Sequence, residues 1–358
     1  MSQKIAISQV GSDNLKPDHL YYNITLTNNT NNSIPAKFNA TLNASIIENS
    51  KDYYLTIVRF RLDGSSLPIF IFPDASGPIQ YWVTLVVGGI SYSAQVQYGF
   101  ANPEPPPGFG QVVYSYTAFI EMINKAFSDA YALIPSPPAG SAPPYLLFNQ
   151  GIISLYADAN YLKSTGTISI FMNTTLYYVF DNVPLALFNG ENLPTKLDVQ
   201  LPIVDLHGSN TQSLDPTVPT GFYKMTFETQ ALFRWQDLAS IFFTSNTLPV
   251  RSEYTTGQNL SQTFNAGSSG TGNPTKQIIT DFIPIDNDTN LIRSDLIYVP
   301  SGEYRLSDML DSGNAINQLD VQMWWNDYLN VAREILLVPQ QAATIKLCFI
   351  KKSTYRTK

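Results

Sequence analysis

Tyr53-Tyr54-Leu55-Thr56-Ile57-Val58-Arg59-Phe60-Arg61-Leu62 is the run on which the fold class turns. Tyr54, Thr56, Val58, Phe60 and Leu62 alternate with Tyr53, Leu55, Ile57, Arg59 and Arg61. Both faces are largely apolar until the arginines. A period of two predicts a strand that passes from a core to an edge. Similar runs recur along the chain. Before residue 66 lie Tyr21–Thr27 and a weaker Phe38–Ile47. After residue 220 lie Phe222–Gln230, Ser240–Thr244, Gln277–Ile283, Asp295–Val299, Leu319–Trp325 and Ala343–Ile350. Leaving the weaker run aside, two strands before and six after make about eight, the strand number of a jelly roll.

The stretch between has its own elements. Tyr81–Val87, Gly88-Gly89 and Ile90–Tyr98 read as a hairpin, because paired glycines accept the positive φ of a primed two-residue turn. Phe119, Ile123, Phe127 and Ala130 recur at helical spacing, which predicts a helix over Thr117 to Leu133. Glu121 sits in its first turn and Pro135, Pro137 and Pro138 end it. The length of 358 residues suits about two domains, or one large β domain with an insertion. The expected architecture is mainly β: a single jelly-roll β-sandwich interrupted by an inserted α+β domain. Residues 1–66 form its first part, with an N-terminal arm at 1–18. Residues 67–219 form the insertion, and 220–358 the second part with a basic C-terminal tail. Asn102 to Gly110 holds four prolines and Ile134 to Pro144 five, while Thr255 to Thr275 reads as a long mobile loop.

Composition separates assembly from chemistry. The chain holds 21 Tyr and 20 Phe but two His and one Cys. Aromatics supply buried and interfacial area, whereas His and Cys supply much acid–base, nucleophilic and metal chemistry. Charged residues are 14% of the chain, well under the ~25% of ordinary globular proteins. Partners covering the surface would explain this; a Ser/Thr/Asn/Gln-rich surface would serve as well. The net charge of −7 argues against a nucleic-acid binder as a whole. Lys346, Lys351, Lys352, Arg356 and Lys358 nonetheless gather near the C-terminus, and no acid follows Glu334. Such a tail can meet a polyanion; a solvated end is the plainer alternative.

Cys348 stands alone, so no intramolecular disulfide is expected. Met1 to Lys16 lacks the apolar core of a secretory signal, and no apolar run reaches the ~18 residues of a membrane span. The expectation is synthesis in a reducing compartment. The sequons at Asn23, Asn39, Asn43 and Asn173 then read as Asn-rich strand and turn sequence.

Catalytic motifs are weak throughout. Gly267-Ser268-Ser269-Gly270-Thr271-Gly272 has phosphate-loop spacing but continues Asn273-Pro274, without the Lys-Ser/Thr that meets phosphate and Mg²⁺. There is no G-x-S-x-G elbow. His19 in Pro17-Asp18-His19 and His207 in Asp205-Leu206-His207-Gly208 could each pair with a distant Ser in principle, but neither stands in the H-x-D/E context of a metal site. Asp286-Asn287-Asp288-Thr289-Asn290 opens like a calcium loop, but Leu291 and Ile297 stand where Gly and Glu are needed. Nothing singles out a carboxylate pair for glycoside hydrolysis. No catalytic, cofactor or metal residues are assigned, and the expected function is non-enzymatic.

Several stretches in order resemble the penton (minor capsid) proteins of virophages and polinton-like viruses. They are Tyr53-Tyr54-Leu55-Thr56-Ile57-Val58-Arg59-Phe60; Tyr114-Ser115-Tyr116-Thr117-Ala118-Phe119-Ile120-Glu121-Met122-Ile123-Asn124; and Ser240-Ile241-Phe242-Phe243-Thr244-Ser245-Asn246-Thr247-Leu248-Pro249-Val250 with Glu253. Gly302-Glu303-Tyr304-Arg305-Leu306, Val321-Gln322-Met323-Trp324-Trp325-Asn326-Asp327 and Ala343 to Lys352 complete them. The resemblance implies a jelly-roll base that forms a homopentamer at the fivefold vertices of an icosahedral double-stranded DNA virus capsid. Its neighbours would be a larger double jelly-roll major capsid protein. An insertion on the outer end, with a host receptor as its candidate partner, suits Leu67–Pro219. No cofactor and no catalytic residues come with the family. The N-terminal arm and the tail residues Lys351, Lys352, Arg356 and Lys358 are expected on the inner side, the tail facing viral DNA or an acidic partner. Two other readings stay open: a receptor- or glycan-binding viral attachment protein, and the main shell protein of a small single-jelly-roll virus.

Overall fold

The structure is a computed structural model. It describes residues 2–10, 18–45, 47–67, 70–73, 77–99, 111–149, 152–162, 167–180, 187–188, 196, 199–203, 221–226, 238–251, 277–282, 296–298, 305–312, 315–327 and 332–355. Along the chain run β1 (Ser2–Val10), β2 (His19–Thr27), β3 (Ile34–Pro35), β4 (Lys37–Thr41), β5 (Tyr53–Leu62), β6 (Phe70–Ile71), β7 (Trp82–Val87), β8 (Ile90–Gln95) and β9 (Val112–Val113). Next come helix α1 (Tyr116–Ala132), β10 (Tyr145–Asn149), β11 (Ile152–Asp158), β12 (Ile168–Met172), helix α2 (Thr174–Phe180), β13 (Leu187–Phe188), β14 (Val199–Leu201) and β15 (Phe222–Thr226). The last part holds β16 (Leu238–Ser245), β17 (Gln277–Phe282), β18 (Leu296–Tyr298), β19 (Ser307–Asp308), β20 (Gln318–Asp327), β21 (Ala332–Glu334), β22 (Leu336–Leu337), β23 (Ala342–Lys351) and the short helix α3 (Lys352–Tyr355).

Eight strands make a jelly roll. Taken in chain order they are β2, β4, β5, β16, β17, β18, β20 and β23. The first pairs with the eighth, the second with the seventh, the third with the sixth and the fourth with the fifth, all antiparallel. One sheet therefore reads β2-β23-β5-β18 and the other β4-β20-β16-β17. Alternation fills the space between them. Tyr22, Ile24 and Leu26, Ile345, Leu347 and Phe349 point in from the first sheet. Phe38, Ile241, Phe243, Val321, Met323 and Trp325 meet them from the second. Phe60 packs on Phe243 and Phe282 at centroid distances of 5.2 and 5.1 Å.

The eight strands are not the eight counted from the sequence. The weaker run at 38–47 is the second strand of the roll, β4. Of the run expected at 222–230, β15 (Phe222–Thr226) is not a strand of the roll: it pairs with β11 instead. Strand pattern is local, and a partner chosen across the chain leaves no local mark. Within the stretch expected as an N-terminal arm, β1 adds to the first sheet along the edge of β2. A bulge corrects β5. The register slips between Lys346 and Leu347, and the inward set becomes Leu55, Ile57, Phe60 and Leu62. Val58 now joins Cys348 and Ile350 on the outer face.

A second buried cluster lies among α1, β7, β8, β10–β12 and β14, with Phe119, Ile123, Phe127, Ile170 and Phe180 at its centre. Ser115 caps α1 by accepting the Ala118 N–H at 3.4 Å. Gly88 and Gly89 turn the β7–β8 hairpin at φ 56° and 82°. The two clusters meet at the β6–β9 ribbon: Val112 and Tyr114 are buried in the sandwich, Phe72 and Val113 in the second cluster. The segments at 102–110, 255–275 and 286–290 lie outside the described residues.

Candidate assembly surface

The outer face of the first sheet is set by strand register. One row holds Asn23, Lys346 and Arg59; the next holds Thr25, Thr344, Arg61 and Ile297. Below them come Tyr21, Cys348 and Thr56, then His19, Ile350, Tyr54 and Asp308. The lower rows are closed by an apolar cluster of Val58, Cys348 and Ile350 with Tyr21 and Leu306. The upper rows are open: Arg59 and Arg61 are exposed, and so is Ile297. Lys346 lies over the Tyr21 ring, 4.7 Å from its centroid. Arg59 and Lys346 are direct cross-strand partners, an arrangement that costs stability for like charges.

The expected basic tail divides. Lys351 closes β23, its N–H donating to the Asp18 carbonyl at 3.0 Å. Lys352 is turned back onto the sandwich. Its Nζ lies 2.5 Å from Asp308 Oδ1, donates to the Met309 carbonyl at 3.4 Å and stands 5.2 Å from the Tyr54 ring centroid. The Lys352 charge is thus met within the chain. Arg356 and Lys358 lie outside the described residues.

Groups with chemical potential are structurally engaged. Burial pushes the Cys348 thiol up to about 12, so it stays protonated and unreactive near neutrality. His19 stacks on Tyr21 at 6.3 Å, and His207 lies outside the described residues. No group of three or more His, Cys, Asp or Glu that could hold a metal ion occurs among the described residues. The sequon Asn173 uses its whole amide: Oδ1 accepts from the Trp82 and Leu176 N–H groups at 2.9 and 3.3 Å, and Nδ2 donates to the Gln80 carbonyl and Thr175 Oγ1 at 2.7 and 2.6 Å.

Sequence reasoning missed a buried carboxylate. Asp320 on β20 accepts from Ser245 Oγ at 2.5 Å, from the Asn246 and Thr247 N–H groups at 2.9 and 3.0 Å, and from Thr247 Oγ1. It holds the turn that ends β16. Ser245-Asn246-Thr247 announces a turn, but the acid that anchors it is far away in sequence and carries no local signal.

The nested pairing defines the class by fold: a single jelly-roll β protein. Residues 20–351 match the model of the Sputnik minor capsid protein V18/19 family, and the chain belongs to that family. It is 31% identical over 209 residues to structural protein V19 of Sputnik virophage, covering 57% of this chain and 92% of the relative. It is 29% identical over 157 residues to protein V18 of the same virophage, covering 37% of this chain and 93% of V18. A chain in the 3.5 Å cryo-EM structure of the Sputnik virophage superposes with a TM-score of 0.67 at 27% identity, over 95% of this chain and 99% of that one. The mavirus penton protein shares the fold, with a TM-score of 0.58 at 15% identity over 93% of this chain and 99% of the other. The chain is therefore a structural component of a virion capsid.

Proposed function

We propose that the chain forms a homopentamer that closes the fivefold vertices of an icosahedral capsid, bordered by a larger double jelly-roll major capsid protein. The observation that carries this reading is the complete jelly roll, β2-β23-β5-β18 against β4-β20-β16-β17, in a chain of a minor capsid family. A five-membered ring repeats one heterologous contact, so each copy hides two different surfaces. The scarcity of charge, 14% of residues, suits that burial. The protein acts by assembly and not by catalysis. The residues from 67 to the end of β15 form an insertion carried on the outer end. Residues beyond β23, with Arg356 and Lys358, face the particle interior and meet viral DNA or an acidic partner.

A second role as an attachment protein has its own observation. On the sheet β10-β11-β15, Leu147 and Ile152 stand exposed on the same face as the half-buried Tyr145, whose ring stacks on the buried Tyr156 at 4.9 Å and lies 5.6 Å from Phe222. That face suits a host receptor or glycan. The main test is native mass measurement and electron microscopy of the purified protein, alone and with the major capsid protein of the same virus. Fivefold rings that fill vertices are expected. A protein that never adopts fivefold symmetry and is absent from vertices would overturn the reading.

A further inference from the structure

The second cluster holds two sheets whose edge strands are finished differently. On the sheet β10-β11-β15 the edge strand β10 is closed by a side chain. Asn124 of α1 stands where another strand would, its Oδ1 accepting from the Leu146 N–H at 2.6 Å and its Nδ2 donating to the Leu146 carbonyl at 2.8 Å. On the sheet β13-β14-β12-β7-β8 the edge strand is β8. Register decides which of its groups are left over. The Val96 N–H donates to the Tyr81 carbonyl at 2.9 Å, one step beyond the Trp82–Gln95 pair. Antiparallel pairs alternate, so Ile90, Tyr92 and Ala94 bond to β7, and the N–H and C=O groups of Ser91 and Ser93 point away from it. Among the described residues nothing takes those groups, and Ser91 is exposed. Open edges are usually blunted by Lys, Pro or a bulge. Ile90-Ser91-Tyr92-Ser93-Ala94-Gln95 has none of these.

The two flanks of β8 say what fits beside it. Its partner β7 sets Val83, Leu85 and Val87 opposite Ala94, Tyr92 and Ile90. On the other flank Thr84 stands opposite Ser93, with Thr84 Oγ1 2.8 Å from Ser93 Oγ. A strand laid on the open side meets the same two flanks, one apolar and one hydroxyl-bearing, and neither carries a charge. We propose that β8 accepts an extended segment of a different protein as an added antiparallel strand, uncharged and alternating branched aliphatic residues with threonine or serine. Main-chain bonds supply the affinity and the alternation supplies the register. A second copy is the poorer occupant, because two β8 strands side by side make a twofold pair, and a ring built from one heterologous contact holds no such pair. That step alone rests on the ring reading above.

The test is fluorescence anisotropy of the full chain with a labelled peptide that copies Trp82–Val87 between lysine pairs. Saturable binding is expected. In the docked register the peptide's threonine shares the serine flank and turns its N–H toward β8, whereas its leucine turns its N–H away. N-methylation at the threonine should weaken binding on the order of 10-fold, and N-methylation at the leucine should leave it unchanged. On the protein, Ser93→Pro removes an outward donor without breaking a bond to β7, and should weaken binding to the same degree. Ser93→Ala, which loses the Thr84 hydroxyl contact but keeps the edge, should bind as wild type does. If Ser93→Pro does not fold, the two methylated peptides decide on the wild-type protein. No binding by the parent peptide, equal effects at the two methylation sites, or a folded Ser93→Pro variant that binds as wild type does would overturn the proposal. So would wild-type dimers that Ser93→Pro abolishes, since the occupant would then be a second copy. Native mass of the unlabelled protein scores fivefold rings separately, so failure of this edge and failure of the ring reading appear in different measurements.

Discussion

At the scale of single residues, the fold leans on polar side chains that no local pattern announces. Asp320 is 6% exposed and gathers its donors from the turn after β16. Hydrogen bonds to a charged acceptor are worth more than neutral ones, and its loss leaves buried donors unmet. Asp320→Ala should therefore lower unfolding free energy by about 3 kcal/mol, read as a shift of the urea midpoint, and Asp320→Asn by less. Cys348 gives a pH signature. Burial raises its pKa from the ordinary 9.0 to about 12, so the folded state keeps a proton that the unfolded chain releases. The stabilising contribution is full below pH 9 and is lost as pH rises toward 12. Urea titrations across that window should show falling stability, with a shallower fall in Cys348→Ala.

At the scale of elements, the strands were legible and their partners were not. Alternation located β5, β16, β20 and β23, and paired glycines located the β7–β8 turn, because those signals are local. Two features escaped. The run at 222–226 looks like any strand of the sandwich, yet β11 claims it. In β5, strict alternation puts Val58 and Phe60 on one face, whereas the bulge separates them and turns Arg59 and Arg61 outward. The candidate surface was legible only as arginines on an edge-going strand, because its rows come from register. The bulge is open to a direct test. Deleting Val58 removes the extra residue of the bulge and leaves Leu55, Ile57, Phe60 and Leu62 on one face in an unbroken two-residue period, whereas deleting Arg61, beyond the bulge, moves Leu62 to the outer face. The Val58 deletion should keep cooperative unfolding by near-ultraviolet circular dichroism, while the Arg61 deletion should abolish or strongly weaken it.

At the scale of the whole molecule, the two largest buried clusters of the described residues meet at the β6–β9 ribbon. The sandwich cluster is built round Phe38, Phe60, Phe243, Trp325 and Phe349, the second round Phe119, Phe127 and Phe180. Between them, β6 and β9 are two-residue strands whose alternation sends Val112 to one cluster and Val113 to the other. With only these two-residue strands joining the clusters among the described residues, each cluster is expected to unfold as its own cooperative unit. Phe119 and Phe243 are each 0% exposed, one in each cluster. Truncating a buried phenylalanine to alanine costs about 3–5 kcal/mol through lost transfer energy and the cavity left behind. Scanning calorimetry of the wild type should therefore resolve two transitions. Phe119→Ala should lower one and leave the other in place, and Phe243→Ala should do the reverse. A single transition that both variants move equally would show that the β6–β9 ribbon couples the clusters into one unit, and the division into a jelly-roll base and an inserted domain would then fail as a description of how the chain folds.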